Sequence, residues 1–121
     1  MRPATCPCGL HAPYEACCGR FHRDEATAPT AELLMRSRYV AFAVGDAAYL
    51  LATWHPTTRP ARLRLDPADR WTGLEIVGRT AGGLFDAAGT VEFRARHGHG
   101  VQHEVSAFRR EEGRWFYVGP A

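Results

Sequence analysis

The sequence has 121 residues, 45% of them hydrophobic, and a formal net charge of +2. That is one domain's length with a modest core, too apolar for a disordered chain and too weakly basic for nucleic-acid binding. No apolar run approaches the ~18 residues that cross a bilayer, and no signal-peptide core follows Met1, so a cytoplasmic protein without membrane contact is expected. All 15 basic residues are arginine, so an arginine cluster carries less meaning here than usual.

The first informative stretch is CPCGLHAPYEACCGRFH, which holds all four cysteines: Cys6, Cys8, Cys17 and Cys18. A cytosolic setting disfavours disulfides. Four thiolates this close suit a tetrahedral Zn²⁺ site, closed to water and therefore structural, and metal binding then supplies most of the segment's folding free energy. Pro7 and Pro13 restrict the backbone, while Gly9 and Gly19 can turn beside crowded sulfurs. Two disulfides or four free thiols are the plainer alternatives. His22, and less directly His11, compete for a ligand position. Arg20, Arg23 and these histidines could offset the formal charge of a four-thiolate centre.

With Pro7, Gly9 and Tyr14 set between the cysteines, Cys-x-Cys-x8-Cys-Cys-Gly resembles the SEC-C zinc motif at the carboxyl end of the SecA translocation ATPase. The resemblance implies zinc on Cys6, Cys8, Cys17 and Cys18 and contacts with a protein chaperone and the ribosome. The loop Gly9-Leu10-His11-Ala12-Pro13 lacks the basic residues usual there.

Residues 19–30 read as a connecting loop. Thr30 then caps a helix over Ala31–Val44 with a broad apolar stripe, stopped by Gly45. Asp46 caps a second short helix from Ala47 to about Trp54, ended by His55-Pro56. A further short helix is expected near Pro67–Trp71. After Trp71 the period changes to two. Strands are expected at about 73–80, 84–86, 90–97, 101–110 and 114–118, with glycine-bearing turns between them. The result is an antiparallel meander with helices on one face, an α+β fold.

The order of the cysteine stretch, then Leu34-Met35-Arg36-Ser37-Arg38-Tyr39-x-Ala41-Phe42, then Thr53-Trp54-His55-Pro56, then Trp115-Phe116-Tyr117-Val118, resembles the bacterial YchJ family. The resemblance implies a SEC-C segment over residues 1–23 and a cone-shaped nuclear transport factor two-like domain over 24–121. In that cone a curved sheet wraps around helices and leaves a pocket. Longer members carry a second SEC-C motif, which the sequence through Ala121 does not contain. The family brings no established reaction, and related cone folds often dimerise through the outer sheet face.

A cone offers a concave site, so its polar residues are candidates. Arg38 could meet an anion in the pocket; the plainer expectation is an ion pair with a strand glutamate such as Glu104. Tyr39 reads as core. Trp54 and His55 end a helix, where His55 could act as a base or simply satisfy the last carbonyls. Glu75, Glu92 and Glu104 could supply a carboxylate pair, and His97, His99 and His103 a second metal site, His97 and His103 facing one side of a hairpin. Trp115, Phe116 and Tyr117 read as core plus one exposed aromatic. No nucleophile–base set is visible. The first expectation is therefore a non-enzymatic zinc protein that engages protein partners; the second is a small-molecule binder, hydrolase or isomerase using the cone pocket.

Overall fold

The structure, a computed structural model, describes residues 3–98 and 100–121. The chain begins as a closed loop. Thr5 bridges to Pro13, Cys6 N–H donates to Ala12 O at 2.8 Å, and Tyr14 N–H donates to Ala4 O at 3.0 Å. Gly9 turns the loop at φ +93°. A single 3-10 turn, Tyr14–Ala16, leads into helix α1 (Cys18–His22). The first part of the expected 19–30 loop is thus helical. Gly19 permits this: a Cβ there would stand 2.7 Å from Tyr14 O.

Helix α2 (Ala31–Val44) has the expected bounds, and the reason is its two ends. Thr30 Oγ1 accepts from Leu33 N–H at 3.2 Å, satisfying one of the free first-turn donors. Gly45 closes the other end in the left-handed region, at φ +80°. Asp46 accepts from Tyr49 N–H at 3.0 Å and starts helix α3 (Ala47–Ala52), two residues shorter than expected.

No helix forms near Pro67. Asp66 Oδ1 accepts from Ala68 N–H at 2.9 Å and Asp66 O from Asp69 N–H at 3.0 Å, so a side-chain-stabilised turn takes the place of the helix start. Four strands follow: β1 (Trp71–Ala81), β2 (Ala88–His97), β3 (Gly100–Glu111) and β4 (Arg114–Pro120). They form one antiparallel meander in chain order. The expected strand at 84–86 is instead part of the β1–β2 turn, where Asp86 caps Gly83 N–H at 2.9 Å. Register shifts at Trp71/Gly73, Ile76/Gly78 and Ala107/Phe108 bend the sheet.

The concave face of this sheet receives α2. Val91, Phe93 and Ala95 of β2, Phe108 of β3 and Trp115 of β4 are buried together with Leu34, Met35 and Tyr39 of α2, and the four cysteines, Tyr14 and Phe21 belong to the same cluster. Trp115 Nε1–H donates to Pro29 O at 3.1 Å, fixing β4 to the start of α2. Cross-strand partners share a face, so Glu104 and Ser106, opposite Phe93 and Val91, point inward, while Val101 and Val105 lie exposed. Two polar side chains therefore enter the concave face where the valines do not.

Candidate metal centre and cone cavity

The closed loop brings Cys6 and Cys8 to the start of α1, where Cys17 and Cys18 follow the 3-10 turn. All four Sγ atoms lie within 4.8 Å of one another, and all four residues are buried. They are not disulfides: Cys8 Sγ and Cys17 Sγ stand 3.6 Å apart. Tetrahedral zinc with ~2.3 Å bonds to sulfur requires S···S separations of about 3.8 Å, so the donor set fits such an ion by element, number and spacing. Among the described residues this is the one cluster of its kind.

Without a cation between them, the sulfurs cannot all ionise. Hydrogen bonds from Cys18 and then Cys8 pull Cys6 down to about 2. At Cys8 the lowering bond from Cys18 is outweighed by Cys6 and by burial, and the thiol is pushed up to about 12. Cys18 is pushed up by its hydrogen bonds to Cys6 and Cys8 and by burial. A divalent ion removes this competition and releases the thiol protons.

Neither rival histidine joins the cluster. His22 Nδ1 is 2.6 Å from Tyr14 Oη and His22 Nε2 is 2.9 Å from Ser37 O. The carbonyl can only accept, so Nε2 carries the proton and Nδ1 accepts from the tyrosine. The His22 ring also packs 4.6 Å from that of Tyr49, whose Oη lies 2.7 Å from Ser37 Oγ. His11 is exposed at φ +60°. The expected arginines are engaged elsewhere: Arg23 pairs with Glu15 and Glu25, and Arg20 lies over Phe21. The cation that reaches the loop is Arg36, which donates to Cys8 O and pairs with Glu32 at 3.0 Å. Glu32 in turn pairs with Arg79 of β1.

On the other side of α2 the cone holds a cavity of about 200 Å³ that opens to solvent. Met35, Phe42, Trp54, Phe93 and Tyr117 supply apolar walls; Arg38, Gln102, Glu104 and Ser106 supply polar ones. Arg38 is 4% exposed and forms no ion pair with Glu104, contrary to the simplest expectation. Its Nη1 donates to Leu50 O and to Thr53 Oγ1, each at 2.7 Å. Its guanidinium carbon lies 4.6 Å from the Tyr117 ring centroid and 5.2 Å from that of Trp54. Burial pulls Arg38 down to about 10, against the support of Tyr117, Tyr49 and Glu104. Glu104 Oε2 accepts from Ser106 Oγ–H at 2.5 Å and Tyr117 Oη–H at 3.1 Å.

Tyr39 and His55 lie outside this cavity. Tyr39 is core, edge-on to Trp71 at 6.1 Å. His55 Nε2–H donates to Glu111 at 2.9 Å, and its Nδ1 accepts from Thr57 N–H at 3.2 Å. The His55 backbone N–H also donates to Tyr117 O at 2.7 Å, so the residue joins the α3 exit to β4 and does not cap helix carbonyls. The three glutamates do not converge: Glu75 is near Arg94 at 3.8 Å, Glu92 bonds His103 at 2.7 Å, and both lie on the outer face away from Glu104. His103 shares a face with its partner Arg94, whereas His97, three residues further along the pleat, faces the other way against Trp71. The hairpin therefore cannot bring His97 and His103 to one ion, and His99 lies outside the described residues.

The family profile described as YchJ, middle NTF2-like domain, matches residues 30–120. The chain belongs to the YchJ family. Similar curated relatives are UPF0225 proteins of Streptomyces avermitilis, 62% identical over 97% of this chain and 84% of the relative, and of Streptomyces coelicolor, 62% identical over 98% and 95%. The chain is also similar to two solved structures of SEC-C motif containing proteins. That from Rhodopseudomonas palustris has a TM-score of 0.79 and 33% identity, over 97% of each chain. That from Psychrobacter arcticus has a TM-score of 0.75 and 30% identity, over 97% of this chain and 81% of the other. The YchJ fold here is α+β, a SEC-C cysteine segment followed by a cone-shaped domain.

Proposed function

We propose that this YchJ-family chain is a non-catalytic binding protein whose cysteines hold one structural Zn²⁺. The observation that supports it is the set of four buried sulfurs within 4.8 Å of one another. A fourth thiolate fills the position that a catalytic zinc keeps open for water. Cys6, Cys8, Cys17 and Cys18 would hold the ion, which would tie residues 1–23 onto the cone domain 24–121 with on the order of 10 kcal/mol of binding free energy. A cytoplasmic setting, where thiols stay reduced, suits this chemistry. The test is removal of the metal by chelator, followed by near-ultraviolet circular dichroism. Loss of the aromatic signal around Tyr14 and its recovery on adding zinc support the role; an unchanged spectrum in metal-free protein contradicts it.

Protein partners, including the folding and secretion machinery suggested by likeness to SEC-C, are the first reading of what is bound. Leu10, 45% exposed on the cysteine loop, supports it. Phe21 is buried and adds nothing to that patch. Comparing proteins captured by wild type and by Cys17→Ser at matched stability tests it; identical sets would remove the cysteine segment from partner binding.

A specific observation favours a second reading, a small-molecule site in the cone. The cavity between α2 and the sheet has apolar walls and a few converging polar groups, the usual make-up of a ligand site.

A further inference from the structure

The cone cavity is lined by one buried cation and one carboxylate that do not satisfy each other. Arg38 spends Nη1 on Leu50 O and Thr53 Oγ1; among the described residues its Nε–H and Nη2–H groups meet no acceptor. Glu104 receives Ser106 and Tyr117 on Oε2, and among the described residues its Oε1 accepts nothing. The indole Nε1–H of Trp54 is buried without an acceptor, the one such side-chain atom among the described residues. Arg38 and Glu104 both line the cavity, so a molecule bound there can meet the donors of the one and the acceptor of the other.

Charge decides what kind of partner. An anion that gains Arg38 is repelled by Glu104 across the cavity; a cation meets the reverse. A neutral group with a donor beside an acceptor satisfies both sides and leaves neither charge exposed to a like one. The aromatic walls, Phe42 and Phe93 among them, suit a flat apolar body. An engineered cavity of about 150 Å³ accepts benzene, so about 200 Å³ leaves room for one ring and one small polar group.

Resting on the cone-site reading above, we propose that this cavity binds a small uncharged molecule with a planar apolar body and a carboxamide-type group, whose N–H meets Glu104 and whose carbonyl meets Arg38. Metal chemistry plays no part in the recognition, since the cysteines lie on the other side of α2.

Benzamide, benzoate and benzylammonium present the same ring with a neutral, negative and positive head. Each is titrated into the zinc-loaded full chain and followed by ¹H–¹⁵N correlation spectra, with the Trp54 indole signal as reporter. Benzamide is expected to shift that signal with a Kd on the order of 1 mM, ordinary for so small a ligand. Each charged analogue is expected to bind at least about ten-fold more weakly. Glu104→Gln removes the carboxylate charge, so benzoate should gain at least about ten-fold relative to benzamide. If none of the three moves signals at the cavity by about 20 mM, both this proposal and the cone-site reading fail. If a charged analogue binds best to wild type, the cone site stands and the carboxamide assignment is overturned. An unchanged ranking in a folded Glu104→Gln protein overturns it as well. Should that variant not fold, the wild-type ranking decides.

Discussion

Arg36, in the middle of α2, donates to the carbonyl of Cys8, 28 residues earlier in the chain. The same side chain pairs with Glu32 one turn back, and Glu32 pairs with Arg79 on the sheet. One chain of charges thus couples the cysteine loop, the central helix and β1. A charge-assisted hydrogen bond to a partly buried carbonyl contributes about 1.5–3 kcal/mol. Arg36→Ala is expected to lower stability by that amount in urea unfolding and to speed zinc loss to a chelator, without changing the equivalents of zinc bound. Arg36→Lys should recover less than the whole, because lysine lacks the planar fork that serves Glu32 and Cys8 together.

His22 separates the two accounts of the cysteine segment. Both its ring nitrogens are engaged, one by Tyr14 and one by the Ser37 carbonyl. His22→Ala is expected to keep one equivalent of zinc while costing about 1–3 kcal/mol, the usual loss when a buried polar partner is removed. Cys18→Ser should lose the metal. A histidine variant that binds less than half an equivalent, by elemental analysis, would make His22 a ligand.

Alkaline titration reports on the cone. Burial, then Glu104, pushes Tyr117 up to about 12, and burial does the same at Tyr49 against the lowering bond from Ser37. Their ordinary value is 10.0. Both phenols bind their protons more tightly folded than unfolded. The stability they lend is therefore complete below pH ~10 and is lost as pH rises toward 12. Phenolate absorbance from Tyr49 and Tyr117 should develop late, coinciding with unfolding, and burial raises Tyr39 in the same direction. Ionisation of all four tyrosines in one step near pH 10, with the fold intact, would contradict the packing described for them.

The parts of this molecule that could be read from sequence are those with local causes. Thr30 and Gly45 bound α2 because a side-chain cap and a left-handed glycine act within a few residues. The alternation of Val91, Phe93 and Ala95 sets the face of β2 directly. On β3 Glu104 and Ser106 share the inner face with Phe108, whose burial sets that direction, while Val101 and Val105 face out. Helix α1 was invisible because five residues carry little periodicity, and its start is set by where Cys17 and Cys18 must stand. At Asp66 the local side-chain turn won over the helix start that Asp-Pro suggests. The Met-Arg-Ser-Arg-Tyr run was recognisable as a motif, but its five tasks depend on packing: Met35 and Arg38 line the cavity, Arg36 holds the cysteine loop, Ser37 meets His22 and Tyr49, and Tyr39 fills the core.

Zinc-edge X-ray absorption on the purified full chain measures the metal, its ligand elements and its bond lengths together. The account predicts one zinc per chain with four sulfur neighbours at ~2.3 Å and no nitrogen shell. A spectrum fitted by sulfur mixed with histidine nitrogen, or protein that carries no zinc as isolated under reducing conditions, would contradict it.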